Sequence, residues 1–186
     1  MIANKIQQMH LTNQSLNNIL KLRKSLLTAV YEDKKTATLQ EIVNGVLQSL
    51  QSEMDQANSK VEIDLGNVAQ IGFPAEHLKS IFYNLIANAV KYRDPNRPLI
   101  VRVKAREQEN NRFLLVVEDN GLGFDLSQHK DKLYGIFKRF HNHVNGAGVG
   151  LHTVKSIADA YGGTIEVESA VGKGTSFKII FKQGMI

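Results

Sequence analysis

Asn84-Leu85-Ile86-Ala87-Asn88-Ala89-Val90-Lys91-Tyr92 is the stretch on which the reading of this chain turns. Leu85, Ile86, Ala89 and Val90 continue an apolar face begun by Leu78, Ile81 and Phe82, at the spacing of an amphipathic helix. Pro74 suits the first turn of that helix, where a missing N–H costs nothing, and Asp94-Pro95 stops it. Asn84, Asn88 and Lys91 fall at i, i+4 and i+7, on one face. Asparagine is a mediocre helix former, so two of them among apolar residues need a reason. The face is either a solvated polar surface or a site. In the second case an amide oxygen ligates a hard divalent cation and the lysine neutralises a phosphate oxygen.

Downstream, Leu99–Ala105 and Phe113–Glu118 read as strands, with Gln108–Arg112 as the loop of their hairpin. A glycine-rich region follows from Gly121 to Gly150. A helix then runs over Val149–Tyr161 and stops at Gly162-Gly163. Thr164–Ser169 and Thr175–Phe181 read as the last two strands, joined at Gly172-Lys173-Gly174.

Upstream, Val61–Leu65 alternates as a half-buried strand, and Val68–Ile71 suits a second short one. Thr38-Leu39-Gln40-Glu41 has the form of a capping box, opening a helix with Ile42, Val43, Val46, Leu47 and Leu50 inward. Three helices and five or six mostly antiparallel strands predict an α+β layer fold. Ahead of it, Ile2, Ile6, Met9, Asn13, Leu16, Leu20, Arg23, Leu27 and Val30 make a heptad seam, with Tyr31–Ala37 as a connector. That seam belongs either to a helix lying on its own core or to one pairing with another long helix.

Other segments carry chemistry. Asp119-Asn120-Gly121-Leu122-Gly123-Phe124 follows directly on a strand. It is either a tight turn or a carboxylate placed to accept from an exocyclic amine, with glycines letting the backbone approach a flat ring. Gly146-Ala147-Gly148-Val149-Gly150-Leu151 opens a helix whose N-terminus suits phosphate. It is not a dinucleotide fingerprint, because no strand precedes it by a short turn. It is not a Walker loop, because no Gly-Lys-Ser/Thr follows. Between the two, Phe137-Lys138-Arg139-Phe140 could anchor a flap, and His141 and His143 read as surface residues rather than metal ligands.

Composition narrows the classes. The 186 residues contain no cysteine, which excludes disulfides, cysteine-ligated zinc and a thiol nucleophile. The net charge of +5 is spread evenly and has no basic block, so nucleic-acid binding is not expected. No apolar run approaches a bilayer-spanning length, and the first residues lack the apolar core of a signal peptide. A cytoplasmic protein is expected, or the cytosolic portion of something longer.

The order of these pieces matters more than any one of them. Asparagine-rich helix, Asp-x-Gly-x-Gly, Phe-x-x-Phe and Gly-x-Gly-x-Gly-Leu resembles the N, G1, F and G2 boxes of the catalytic, ATP-binding domain of sensor histidine kinases. The resemblance covers roughly residues 38–182. It implies a Bergerat-type two-layer ATP sandwich over residues 38–186, a partial dimerisation helix over 1–30 and a linker over 31–37. It also implies ATP and Mg²⁺ as cofactors. Asn88 would be the main Mg²⁺ ligand, assisted by Asn84. Lys91 would contact phosphate, and Tyr92 would lie near adenine or ribose. Asp119 would hold the adenine amine in a pocket shaped by Gly121 and Gly123. Phe137 and Arg139 would belong to the flap, with Arg139 facing the γ-phosphate. Gly146, Gly148, Gly150 and Leu151 would form the lid hinge. The lid from His141 to Asn145 is short.

The family's phosphoacceptor histidine is followed by Glu/Asp, an apolar residue, Arg, Thr/Ser and Pro. His10-Leu11-Thr12-Asn13-Gln14-Ser15 departs from that pattern, so His10 is not expected to be the acceptor. The seam then resembles the second helix of a dimerisation hairpin, with the acceptor upstream of Met1 in a longer, homodimeric parent. The partners implied are that phosphoacceptor helix and a response regulator receiver domain. Hydrolytic ATPases of the wider superfamily carry a general-base glutamate one turn before the metal-binding asparagine. Here that position is Asn84, which cannot take a proton from water. An anti-sigma-factor kinase, which would phosphorylate serine on a partner, usually lacks the leading heptad helix. A degenerate interaction module would have no reason to keep all four boxes.

Overall fold

A computed structural model describes residues 37–68, 72–129, 133–135 and 148–182, together with Asn17, Leu20 and Lys24. Those last three are helical and exposed, and of them only Leu20 is a seam position; the remaining seam positions, His10, Phe137, Arg139 and Gly146 lie outside the described residues.

Helix α1 (Leu39–Ser49) opens on the expected capping box. Thr38 Oγ1 accepts the Glu41 N–H at 3.2 Å, and the Glu41 carboxylate accepts the Thr38 N–H at 2.8 Å. The helical run expected to continue toward Ala57 breaks at Leu50 (φ −108°, ψ 10°), and α2 (Gln51–Gln56) follows. Leu50 and Met54 both remain buried, so one inward face continues across the break. That is why the apolar spacing does not reveal it.

Strand β1 (Lys60–Asp64) leads through helix α3 (Ala75–Lys91) to β2 (Ile100–Gln108), which lies parallel to β1 with Lys60 opposite Ile100. Parallel neighbours need a crossover, and α3 supplies it. Strand β3 (Arg112–Asp119) returns antiparallel through a turn in which Asn110 and Asn111 have φ of 61° and 54°, a conformation asparagine tolerates. Helices α4 (Leu126–His129) and α5 (Gly150–Ala160) precede β4 (Thr164–Ala170) and β5 (Gly174–Lys182). The sheet is five-stranded in the order β1-β2-β3-β5-β4, antiparallel at every pairing but the first. In the suggested second strand, Val68 is a buried turn residue, and 69–71 lie outside the described residues.

Strand alternation decides the layering. Val101, Val103, Ala105, Phe113, Leu115, Val117, Phe177, Ile179 and Phe181 are buried against the helices. Their neighbours face away and form ion pairs such as Arg102–Glu62 at 2.8 Å and Lys104–Glu118 at 2.9 Å. Solvent-facing, half-buried pairs of this kind add little stability. On the helical side α3 lies between α1 and α5. His77 Nδ1 and the Tyr161 hydroxyl, 2.8 Å apart and buried, tie the start of α3 to the end of α5. This is the α+β two-layer sandwich expected of the chain, and it leaves the C-terminal half of α3 beside the β3 turn and the start of α5.

Candidate functional site

The site is built along α3 from Asn84 to Tyr92, about 12 Å of helix at the standard rise. Asn84 Nδ2 donates to the Ser80 carbonyl at 2.7 Å. Its Oδ1 would lie 2.8 Å from a Cβ placed on Gly150, the first residue of α5, so any side chain there meets the amide. One turn on, Asn88 is half-buried, and its side chain makes no hydrogen bond among the described residues. Lys91 Nζ stands 4.6 Å from the centre of the Tyr92 ring, a cation–π contact. Tyr92 caps α3, and its carbonyl accepts the Leu122 N–H at 2.9 Å. The β3 turn is thereby docked on the helix end. Gly121 approaches so closely that a Cβ would lie 2.5 Å from that same carbonyl oxygen.

Asp119 ends β3. Its Oδ1 accepts from the Gly121 N–H at 2.8 Å and from the Thr175 N–H at 3.3 Å. Its second oxygen makes no hydrogen bond among the described residues. Burial pushes the Asp119 carboxyl above the usual carboxylate range; the two N–H groups and the charge of Arg97 oppose that rise. Thr175 is buried, and its hydroxyl lies 3.0 Å from Ser169 Oγ. Ser169 Oγ also accepts from Phe124 N–H and donates to the Gly174 carbonyl, both at 3.0 Å. Sequence reading passed over Thr175, Ser169 and Arg97.

Two glycines are required by geometry. Gly123 has φ +59° and Gly174 has φ +95°, and a Cβ on either would lie 2.0 Å from a backbone oxygen, that of Ala170 or of Asp119. Gly174→Ala is expected to cost about 3 kcal/mol or more, strain and overlap together. Gly172→Ala, at φ +76° with nothing within 4 Å, carries the strain alone and should cost about 1–2 kcal/mol. Urea denaturation of both compares them; equal losses would contradict the packing around Asp119.

The structure thus brings Asn84, Asn88, Lys91, Tyr92, Asp119, Gly121, Gly123 and Gly150 to one side of the molecule. Gly148 (φ +67°) and half-buried Leu151 flank Gly150. Leu133 is buried and Tyr134 half-buried, and His152 Nδ1 of α5 lies 3.2 Å from the Tyr134 carbonyl. Burial, with Asp159 nearby, pushes the Tyr134 hydroxyl up to about 12. A cleft of about 280 Å³ opens on the α2 flank of α3, lined by residues including Leu50, Glu53, Tyr83, Ala87 and Lys91, so that Lys91 is shared between it and the candidate site. It contains neither asparagine nor Asp119.

The donor set fits magnesium carried in by a ligand. Among the described residues no group of three or more His, Cys, Asp or Glu could hold a metal ion. Mg²⁺ usually takes part of its shell from substrate phosphates, and neutral amide oxygens suit it where those phosphates supply the charge.

Residues 74–185 match the family described as "Histidine kinase-, DNA gyrase B-, and HSP90-like ATPase". The chain belongs to that family. It is 31% identical to sensor protein RprX of Bacteroides fragilis over 79% of its own length and 30% of RprX. Its fold is similar to that of the mycobacterial sensor histidine kinase MprB, with a TM-score of 0.68 at 21% identity, covering 80% of this chain and 98% of that one. It is also similar to full-length ShkA in complex with AMPPNP, with a TM-score of 0.69 at 19% identity, covering 95% of this chain and 37% of that one. The chain thus spans less than a third of RprX. No described helix is long and apolar enough to cross a membrane.

Proposed function

We propose that this ATPase-family chain is the catalytic, ATP-binding part of a sensor histidine kinase. It passes the γ-phosphate of Mg-ATP to a histidine on a dimerisation helix, for relay to a response regulator. The observation that carries the reading is the amide at position 84, one turn before Asn88. Its Nδ2 is bound to the Ser80 carbonyl, and an amide oxygen has no basicity with which to activate water. A site without a general base there suits transfer to a protein nucleophile over hydrolysis. Sensor and sensor-kinase relatives support the same choice.

In this reading Asn88, assisted by Asn84, would hold the magnesium, whose chemistry would be to neutralise charge on the transferred group. Lys91 swings from the Tyr92 ring to a phosphate oxygen. Tyr92 then meets adenine or ribose, while Asp119 accepts from the adenine amine beside Gly121 and Gly123. Arg139 and Phe137 close over the γ-phosphate, with Gly146, Gly148, Gly150 and Leu151 as the hinge. The heptad helix over 1–30 pairs with the other half of a dimerisation hairpin, joined to the catalytic domain by 31–37, in a cytoplasmic homodimer. None of the chain's six histidines is followed by Glu or Asp, so the acceptor is supplied by another segment.

Calorimetry tests the nucleotide reading. The chain should bind ATP at micromolar-class affinity, about −8 kcal/mol, and bind it more weakly when EDTA replaces Mg²⁺. Equal affinity with and without the metal would remove the metal role.

A further inference from the structure

Arg97 lies in the loop between α3 and β2, outside every motif of the sequence reading. Its Nη2 donates to the carbonyl oxygens of Gly121 at 3.0 Å and Gly172 at 2.7 Å. Its Nε stands 3.5 Å from Asp94 Oδ2. Gly121 belongs to the turn after β3, and Gly172 to the turn between β4 and β5. The first turn supplies the Gly121 N–H that holds Asp119 Oδ1, and the second leads directly into β5, whose Thr175 N–H holds the same oxygen. A direct bond also joins them, from the Gly172 N–H to the Leu122 carbonyl at 2.6 Å. The guanidinium therefore closes a ring of bonds around a half-buried carboxylate.

We propose that Arg97 is a positioning residue that sets base specificity, locking the two turns so that the second oxygen of Asp119 is held for an exocyclic amine. The inference rests on the nucleotide reading above. It follows from what each bond fixes. Asp119 can discriminate between bases only if its committed oxygen stays committed, because rotation of the carboxylate would present either oxygen at a variable angle. One of the N–H groups that prevent rotation comes from a turn and the other from the start of β5, just after the second turn, and turns without a brace open easily. Ser169 braces the far side through Phe124 and Gly174, and Arg97 braces the near side through Gly121 and Gly172. Arginine suits the task because its planar fork can reach two carbonyls while facing a carboxylate; lysine presents one point charge.

The test uses the full chain, with ATP and GTP competing against a labelled ATP analogue in Mg²⁺, for the wild type, Arg97→Met and Arg97→Lys, each checked by thermal melting. Arg97→Met should lose about tenfold of the preference for ATP over GTP, since a mispositioned polar partner costs roughly that much. Arg97→Lys should lose part of it. A brace serving the fold alone would weaken both nucleotides equally and leave the ratio unchanged, and that result would overturn the inference. If Arg97→Met does not fold, the ratio for Arg97→Lys decides in the same way. A wild type that binds neither nucleotide would overturn the nucleotide reading and this inference with it. A wild-type preference kept in both variants would overturn this inference alone.

Discussion

Asn88→Ala is expected to lower phosphoryl transfer from ATP by about two orders of magnitude and to abolish the Mg²⁺ dependence of nucleotide binding. Asn88 sits on α3 between Ala87 and Ala89, half-buried, with an amide that bonds nothing else among the described residues. Alanine is a better helix former, so the helix keeps its shape and the melting temperature should hold or rise. That separates a ligand from a structural residue. Asn84→Ala should behave differently: its amide caps the Ser80 carbonyl and abuts Gly150, so its loss should also disturb α5. Calorimetry with and without Mg²⁺, beside a melting curve, measures both. An Asn88→Ala chain whose affinity still responds to Mg²⁺ as the wild type does would show that the metal is held elsewhere.

Asp119→Asn should weaken ATP binding by about 10- to 100-fold while leaving the fold intact. The direction follows from the two bonds on Oδ1. The Gly121 and Thr175 N–H groups can be met only by the amide oxygen of an asparagine. Its NH₂ must then take the place of the second carboxylate oxygen and face the adenine amine donor to donor. Leaving two donors unpaired in a partly buried site costs about 1–3 kcal/mol. The same NH₂ suits the acceptor oxygen of guanine, so preference for ATP over GTP should fall. Protonation of Asp119 removes the same acceptor. Because burial raises its pKa, ATP affinity should begin to fall at a higher pH than for an ordinary carboxylate. Unchanged ATP affinity in Asp119→Asn would make Asp119 a turn residue only.

The parts of this protein readable from sequence are those set by local periodicity. The α3 face, the Thr38–Glu41 capping box, the Asn110-Asn111 turn and the stop at Gly162-Gly163 are each decided by residues within a few positions of one another. The parts that escaped are long-range. Arg97 reads as one more charge in a polar loop, because its partners Gly121 and Gly172 lie 24 and 75 residues away. Thr175 reads as an ordinary strand residue, because its N–H serves Asp119 across 56 positions. The break at Leu50 was hidden because the inward face does not change there. Helix α4, only four residues long, escaped because its signal is a single side chain: Asp125 accepts the Ser127 N–H at 3.0 Å. Candidate residues grouped in motifs were therefore legible as neighbours on one helix or turn, and the side chains that hold those motifs together were not.

The most direct measurement of the kinase reading is phosphoryl transfer in trans. The chain is incubated with γ-labelled ATP and Mg²⁺, first alone and then with a separate dimerisation hairpin carrying the family's acceptor motif. In-line positioning of the nucleophile supplies most of the catalysis in such transfers, and no histidine of this chain sits in the acceptor motif. The account predicts no label on the chain alone and acid-labile label on the added hairpin. Acid-labile label on the chain itself, lost in His10→Ala, would contradict it and make His10 the acceptor; release of free phosphate with every hairpin left unlabelled would contradict it in favour of a hydrolytic ATPase.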